Sequence, residues 1–205
     1  MNLNAVNRFE IRRYLGIKGN ETGDDTTEAL IEDCLRELAA KVNPKHVFRT
    51  YPLALVPPAS EEELPLLRFA DIGVQSRDLS RNLAGCDEVL LFGATLGDGA
   101  DFLIRRYEKT RMSRALVMQA SAAAMIEAYC NEINDAWEAE YAAKGFSLKP
   151  RFSCGYGDFA LEHQKDFLRV LELEKRLGIR LTDGCLMVPT KSVTAVIGIY
   201  QERDE

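Results

Sequence analysis

Residues 149–158 read KPRFSCGYGD, and the chain divides around this segment into a scaffold-like part before it and a shorter part after it. Gly155 and Gly157 permit backbone conformations with positive φ and expose successive N–H groups. Arg151 adds a planar guanidinium, which binds a carboxylate or phosphate through two parallel hydrogen bonds. The segment predicts a loop that holds a small anionic ligand beside Tyr156, although a turn with a surface arginine salt bridge explains the same residues.

Composition limits the classes of partner. The chain has 205 residues, 46% of them apolar and 28% charged, so it can bury one good core. Its net charge is −6, and its basic residues are scattered, which argues against nucleic acid or an anionic membrane as the main partner. The amino terminus has no signal-peptide pattern, and no apolar run approaches the roughly 20 residues that span a bilayer. We therefore expect a cytoplasmic protein.

The cysteines do not indicate a metal site or a disulfide framework. All five are widely spaced, there is no C-x-x-C pair, and only His46 and His163 offer imidazole ligands. Cys154 lies in the loop segment, but a nucleophilic thiol needs an activating neighbour, and His163 is the one candidate nearby in sequence. We expect buried, unreactive cysteines, no catalytic residue and no metal.

Periodicity and turn residues predict the secondary structure before the loop. A short docking helix over 7–15 ends at Gly16 and is followed by a polar turn over 19–24. We expect one structural unit, with this helix and turn as residues 1–24 and the main domain as residues 25–205. Within that domain the patterns predict helices over 25–41, 77–83 and 100–108, and strands over 46–55, 66–72 and 87–95.

The turn after the strand at 87–95 resembles a nucleotide-binding loop only superficially. A dinucleotide-binding turn requires G-x-G-x-x-G, and here Gly97 and Gly99 are followed by the bulky Phe102 where the third glycine belongs. An ordinary turn, with Asp98 and Asp101 capping the next helix, explains the segment better. A Rossmann-type oxidoreductase remains a weak alternative.

A long helix is predicted over 113–144. Glu127 lies on its apolar line among small neighbours, where a carboxylate is costly unless it meets a cation or hydrogen-bond donors, so it is either a boundary residue or a ligand contact. After the loop, the patterns predict an amphipathic helix over 161–177 and closing strands over 185–188 and 192–200. Helices and strands do not alternate regularly, which indicates an α+β protein with a mainly antiparallel sheet.

Several motifs, in this order and spacing, resemble the AdoMet-binding reactivation domain of cobalamin-dependent methionine synthase, here as a free-standing chain. The motif Arg-x-x-x-Gly-Tyr is formed by Arg151, Gly155 and Tyr156. Further matching positions are Glu172, Gly178, Leu181, Thr182, Met187, Pro189, Lys191, Ser192 and Val193. Upstream matches are the run FGATLG at 92–97, Arg106-Tyr107 and Ile126-Glu127-Ala128. The resemblance covers about residues 87–199, with a looser similarity at 10–19.

The resemblance implies a C-shaped α+β fold around a twisted antiparallel sheet, with S-adenosylmethionine in a shallow groove. It implies that Arg151 binds the methionine carboxylate and that Glu127 faces the ligand from the long helix. It also implies that the backbone around Ser153 and Gly155 hydrogen-bonds the ligand and that Tyr156 packs against it. Members of the family with several domains use a further aspartate from an N-terminal extension and a tyrosine beyond the last strand, which we do not expect this chain to supply.

The same resemblance implies a role as an activator of a corrinoid protein. A one-electron reduction of inactive Co(II) gives Co(I), which takes the methyl group of S-adenosylmethionine. The chain lacks the Asp-x-His-x-x-Gly signature of a cobalamin-binding domain, so cobalamin is expected on a partner, a methionine synthase or another corrinoid protein, with a flavodoxin or ferredoxin as electron donor. The alternative is a docking module that keeps the fold without this activity.

Overall fold

The computed structural model describes residues 3–17, 24–60 and 62–201, so the predicted turn over 19–24 lies almost wholly outside the described residues. The strands in these ranges are β1 Lys45–Val56, β2 Leu66–Phe69, β3 Ile72–Gln75, β4 Glu88–Thr95, β5 Ser147–Leu148, β6 Arg180–Leu181, β7 Met187–Val188 and β8 Ser192–Tyr200. The α-helices are α1 Arg8–Tyr14, α2 Asp25–Ala39, α3 Arg77–Asn82, α4 Asp98–Glu108, α5 Met112–Ala142, α6 Gln164–Val170 and α7 Leu173–Leu177. Short 3₁₀ turns occupy Leu3–Ala5 and Leu161–His163.

Six strands form one antiparallel sheet in the order β3-β2-β1-β4-β8-β5. At its centre, β4 pairs with β1 on one side and with β8 on the other along its whole length. The two strands β6 and β7 form a separate small sheet. The α+β class with a mainly antiparallel sheet and one long helix, predicted from the sequence, is confirmed.

The central strand is apolar on both faces because a separate core covers each face. Leu90 and Phe92 point into a core formed with α2, α4 and α5, whereas Val89 and Leu91 point into a second core with β2, β3, α6 and α7. Successive side chains of a strand alternate between faces, so a strand buried on both faces reads as a continuous apolar run. Gly93 allows α7 to approach this strand, since a Cβ there would lie 2.6 Å from Leu173.

The 31-residue helix α5 packs against α1, α2 and α4. Its small residues keep these contacts close, and Ala115, Ala120, Ala122, Ala124 and Ala128 are all buried. Near its carboxyl end, the Trp137 ring meets Phe92 and Phe48 edge-on, at centroid distances of 5.4 and 5.0 Å. Among the described residues, no helix combines the length and the apolar character needed to cross a membrane.

Three of the predicted elements are wrong in detail. The strand predicted over 66–72 is the hairpin β2–β3, which turns at Ala70 with φ +50. The helix predicted over 161–177 is broken into α6 and α7, because Glu172 adopts a left-handed conformation with φ +53. The strand predicted over 185–188 is shorter and belongs to the small sheet, where Met187 and Val188 pair with β6.

The glycine-rich turn after β4 has a packing role. Gly97 adopts φ +74 as the residue before α4, and no side chain caps this helix, so the predicted capping by Asp98 and Asp101 is wrong. Gly99 lies against the backbone of Lys41, where a Cβ would overlap the Lys41 carbonyl oxygen. Asp101 instead accepts hydrogen bonds from the backbone N–H and the hydroxyl of Thr190. Close approach of α4 to the end of α2 explains the glycines without a dinucleotide.

Candidate functional site

A polar cleft of about 450 Å³ opens between α1, α5 and the loop at 149–158. Its floor is one face of α5, because Ala124, Glu127, Ala128 and Asn131 recur at the spacing of a helical face. The other lining residues are Ala5, Asn7, Glu10, Arg13, Tyr14, Arg151 and Tyr156. The fold thus brings together three of the five predicted site residues, Glu127, Arg151 and Tyr156.

Arg151 and the long helix meet at the base of this cleft. The Nη2 atom of Arg151 donates a hydrogen bond to Oδ1 of Asn131 at 2.8 Å and lies 3.3 Å from Oε2 of Glu127. Its Nη1 atom is buried and has no hydrogen-bond partner among the described residues. A guanidinium N–H without an acceptor is costly, and a ligand oxygen could satisfy it once the side chain turns toward the cleft, because the atom itself has no exposed surface.

Glu127 faces the Arg151 loop from α5 as expected, and its side chain is only partly buried. Its side chain is 51% exposed, whereas that of Arg151 is 21% exposed. The small neighbours Ala124 and Ala128 leave the carboxylate uncovered on the cleft side. Glu127 is therefore accessible to a ligand that enters the cleft.

The N-terminal helix supplies one wall of the cleft, which sequence reasoning missed. Glu10, Arg13 and Tyr14 line the cleft, while Ile11 on the opposite face of α1 is buried in the core. A signal was present, because these three polar or aromatic residues share one helical face at spacings of three and four residues. Glu10 and Arg13 form an ion pair. An acidic residue of α1 therefore reaches the cleft. The expectation that the chain supplies no counterpart of the family's N-terminal aspartate stays a prediction.

Two arginine–carboxylate pairs hold α1 against α2. Arg8 donates to both carboxylate oxygens of Glu32, at 2.9 and 3.0 Å. Arg12 does the same with Glu28, at 2.7 and 2.9 Å. Bidentate pairs fix orientation as well as distance, so the wall of the cleft has a defined position.

Asp158 anchors the other end of the loop to α3. Its carboxylate accepts hydrogen bonds from the Ser76 hydroxyl and from the backbone N–H groups of Arg77 and Asp78, the latter two at 2.7 and 3.2 Å. Burial alone would raise the pKa of Asp158, but these hydrogen bonds outweigh it and the pKa is lowered. Gly157 adopts φ +53 and lies so close to Asp78 that a Cβ would overlap the carboxylate.

The predicted backbone contacts at Ser153 and Gly155 differ from this geometry. Neither residue lines the cleft, and the Gly155 N–H donates to the Phe159 carbonyl at 2.7 Å. The Tyr156 N–H donates to the Ser153 carbonyl at 3.3 Å. The expectation that the loop exposes successive N–H groups is therefore wrong for Gly155 and Tyr156, and contact of Ser153 and Gly155 with a ligand stays a prediction. The Tyr156 side chain stands at the rim, 68% exposed.

The charges of the cleft come in opposite pairs, Arg13 with Glu10 and Arg151 with Glu127. A lining of this kind suits a zwitterion better than an anion, because each ligand charge finds an opposite partner. The rings of Tyr14 and Tyr156 add flat apolar surfaces. The arrangement can bind and orient a ligand of mixed charge, and none of the described residues that line it is a histidine that could transfer a proton.

Cys154 is part of the loop, but its side chain is buried in the second core and does not line the cleft. It is buried, and burial raises the pKa of its thiol to about 12. His163, its sequence neighbour, instead bonds Asp166 through Nδ1 at 2.8 Å. In the part of the chain that the structure describes, no three His, Cys, Asp or Glu side chains converge as a metal site.

Comparison with known proteins gives a structural likeness. No known sequence family matches the chain, and no curated protein does. Among solved structures, the chain is similar to a crystal structure of the MetH reactivation domain bound to AdoHcy, with a TM-score of 0.69 and 17% sequence identity, over 98% of this chain and 76% of that chain. The chain therefore has the fold of that domain, and the fold implied by the motif resemblance is confirmed.

Proposed function

We propose that the cleft between α1, α5 and the Arg151 loop binds S-adenosylmethionine, and that the chain supports reductive methylation of cob(II)alamin carried by a partner protein. The observation that carries this proposal is the contact of Arg151 with Glu127 at the base of a cleft of paired charges. The likeness to the MetH reactivation domain supports it, because that domain was crystallised with AdoHcy.

The charges of S-adenosylmethionine match those of the cleft. Its carboxylate can accept hydrogen bonds from Arg151, whose buried Nη1 atom has no partner among the described residues. Its ammonium and sulfonium groups are cations that suit Glu127 and Glu10. The Tyr156 ring at the rim offers a face to the adenine or to the sulfonium. Each part of the ligand thus meets a side chain of suitable chemistry.

The cobalamin is assigned to a partner, which we propose to be a methionine synthase or another corrinoid protein. A donor such as a flavodoxin or ferredoxin would reduce the partner's cobalamin by one electron. The reduced cobalamin supplies the nucleophile that accepts the methyl group, and S-adenosylhomocysteine remains as the product. The residues of this chain bind and orient the methyl donor, so they contribute to the methyl transfer by positioning alone. The exposed Tyr156 rim leaves the cleft open to a docked partner.

The test is a reconstitution with a purified corrinoid protein in its Co(II) form, S-adenosylmethionine and a low-potential reductant, followed by visible spectroscopy. We expect the spectrum of the methylated corrinoid only when the chain is present. Arg151→Ala should slow its appearance, and Arg36→Ala, at an exposed arginine on α2, should not.

Two results would contradict the proposal in different ways. Methylation at an equal rate without the chain would rule out the activator role. Binding of the corrinoid protein, with no binding of S-adenosylmethionine at millimolar concentration, would favour the docking module instead.

A further inference from the structure

A second cavity, of about 330 Å³, lies beside the cleft along α5, and we call it the Lys191 pocket. Its lining residues are Tyr14, Leu15, Leu116, Gln119, Ala120, Ala123 and Lys191. It shares Tyr14 with the cleft and lies on the preceding turns of the same helix. The function proposed above makes no use of this cavity.

Lys191 is unusual because its side chain is buried without an ion-pair partner. The residue is 8% exposed, and among the described residues its ammonium has no hydrogen-bond acceptor and no carboxylate within ion-pair distance. A buried cation is costly unless it is paired, and lysines are rarely buried alone. Burial accordingly lowers the pKa of Lys191, while the charge of Asp101 opposes this effect.

The nearest acid is already committed to other partners. Asp101 is 4% exposed and accepts the backbone N–H of Thr190 at 2.8 Å as well as the Thr190 hydroxyl. Arg105 lies 3.9 Å from the same carboxylate. Asp101 therefore fixes the backbone beside Lys191 without neutralising the ammonium.

The backbone around Lys191 is held firmly, so the position of its side chain is part of the fold. The Lys191 carbonyl accepts the Leu96 N–H at 2.9 Å, which joins it to the end of β4. The next residue, Ser192, donates its hydroxyl to the Pro189 carbonyl at 2.7 Å. Lys191 therefore lines the pocket from a fixed point of the backbone.

We propose that the Lys191 pocket binds a small organic carboxylate. The described residues that line it include one cation, Lys191, and two neutral hydrogen-bonding side chains, Gln119 and Tyr14. This set matches a single negative charge, whereas a phosphate dianion needs more donors. The remaining walls, Leu15, Leu116, Ala120 and Ala123, are apolar and suit a short aliphatic chain. The volume is at the lower end of the range for ligand pockets.

The test is a titration followed by ¹H–¹⁵N NMR, with butyrate, butyramide and inorganic phosphate as probes. Butyramide keeps the shape of butyrate and lacks its charge. We expect butyrate to bind and to shift the resonances of Ala120 and Ala123, and butyramide to bind at least tenfold more weakly, the usual scale for loss of a charge-assisted hydrogen bond. Lys191→Met should reduce butyrate affinity by about the same factor.

Matched variants keep the result interpretable. Lys175→Met, at an exposed lysine on α7, should leave butyrate binding unchanged. Arg151→Ala should also leave it unchanged, since the Lys191 pocket does not depend on the proposed S-adenosylmethionine site. Ala123→Leu should fill the cavity and remove butyrate binding while Lys191 stays in place. Lys191→Met should unfold at an equal or higher temperature than the parent, because it removes an unpaired buried charge.

Four results would overturn the proposal. These are no binding of butyrate at millimolar concentration, equal binding of butyrate and butyramide, undiminished butyrate binding by the Lys191→Met variant, and tighter binding of phosphate than of butyrate. The last would assign the pocket to phosphate.

Discussion

At the scale of single residues, Arg151 and Glu127 form an ion pair that is partly open to solvent. The Glu127 side chain is about half exposed, and pairs of this kind contribute only about 0–1 kcal/mol to folding. Loss of either partner should therefore affect the fold little. The pair is better suited to binding than to stability, since both groups face the cleft.

Replacement of Glu127 by glutamine tests the charge of this side chain separately from its shape. Glu127→Gln should weaken S-adenosylmethionine binding by about fivefold or more, because a hydrogen bond to a charged group is stronger than one to a neutral group by roughly 1 kcal/mol. Binding of uncharged adenosine should be unchanged. Glu132→Gln, at an exposed position on the same helix, is the matched control in a calorimetric titration. Equal losses of affinity for S-adenosylmethionine and for adenosine would indicate that Glu127 has only a packing role.

The sequence identified part of this cleft because its motif residues carry a spacing signal. Arg151 and Tyr156 belong to one short motif, and Glu127 is conspicuous as an acid on an apolar helical line. Asn131 carried no such signal. Glu10 shares a helical face with Arg13 and Tyr14, but that pattern does not show that α1 packs on α5 and forms a wall of the cleft. The pattern placed Glu127 at the boundary of an apolar face, which agrees with its half-exposed side chain, but it does not show that its flank is an open cleft.

At the scale of elements, the glycines at the start of α4 show how packing can imitate a nucleotide-binding motif. Gly99→Ala should lower the free energy of unfolding by roughly 1–3 kcal/mol, because the added methyl group overlaps the Lys41 carbonyl. At Gly184 an added Cβ would have its nearest neighbour at 3.9 Å. Gly184→Ala should therefore change the free energy of unfolding by less than about 0.5 kcal/mol. Urea denaturation of both variants measures the difference. A Gly99→Ala variant as stable as the parent would show that α4 does not need to lie this close to the Lys41 backbone.

The anchor of the Arg151 loop on α3 should make stability depend on pH in the acid range. Asp158→Asn should lower the free energy of unfolding by roughly 1 kcal/mol at neutral pH, because hydrogen bonds to a charged acceptor are stronger than those to a neutral one. The pKa of Asp158 is lowered in the folded state. Its stabilisation is therefore complete above the ordinary aspartate pKa of about 3.9 and is lost as the pH falls through the lowered value.

Thermal unfolding at a series of pH values measures this effect. The difference between the parent and Asp158→Asn should shrink toward zero as the solution becomes acidic. At neutral pH, replacement of an exposed aspartate, Asp135→Asn, should change the stability by less than about 0.5 kcal/mol. A difference that persists unchanged at the lowest pH would mean that charge on Asp158 does not hold the loop.

The elements that sequence reasoning misplaced lack the residues that normally mark a break. The hairpin between β2 and β3 turns at Ala70, with neither glycine nor proline in the turn itself. The break between α6 and α7 uses Glu172 in a left-handed conformation, which glycine or asparagine usually adopts. A tertiary ion pair with Arg49, at 2.8 Å, holds Glu172 there together with a local pair to Arg176, at 2.9 Å. Such contacts between distant segments are invisible to local patterns.

At the scale of the whole molecule, the two cores explain why the fold class could be predicted. The apolar run of β4 requires cover on both faces, and the long α5 together with α6 and α7 provides it. The cleft and the Lys191 pocket lie together on the outer side of α5, next to α1. A partner that covers the cleft would meet this surface, and we expect a modest, partly polar interface, because a corrinoid protein must also return to its other partners.

The most direct measurement for the central claim is a calorimetric titration of S-adenosylmethionine into the parent, Arg151→Ala and Arg36→Ala proteins. The account predicts that the parent and Arg36→Ala bind alike, while Arg151→Ala binds about 10- to 150-fold more weakly, the range for loss of a charge-assisted hydrogen bond. Arg151→Lys should recover only part of this loss, because an ammonium cannot form the two parallel hydrogen bonds. Equal binding by Arg151→Ala and the parent, or binding of NAD in place of S-adenosylmethionine, would contradict the account.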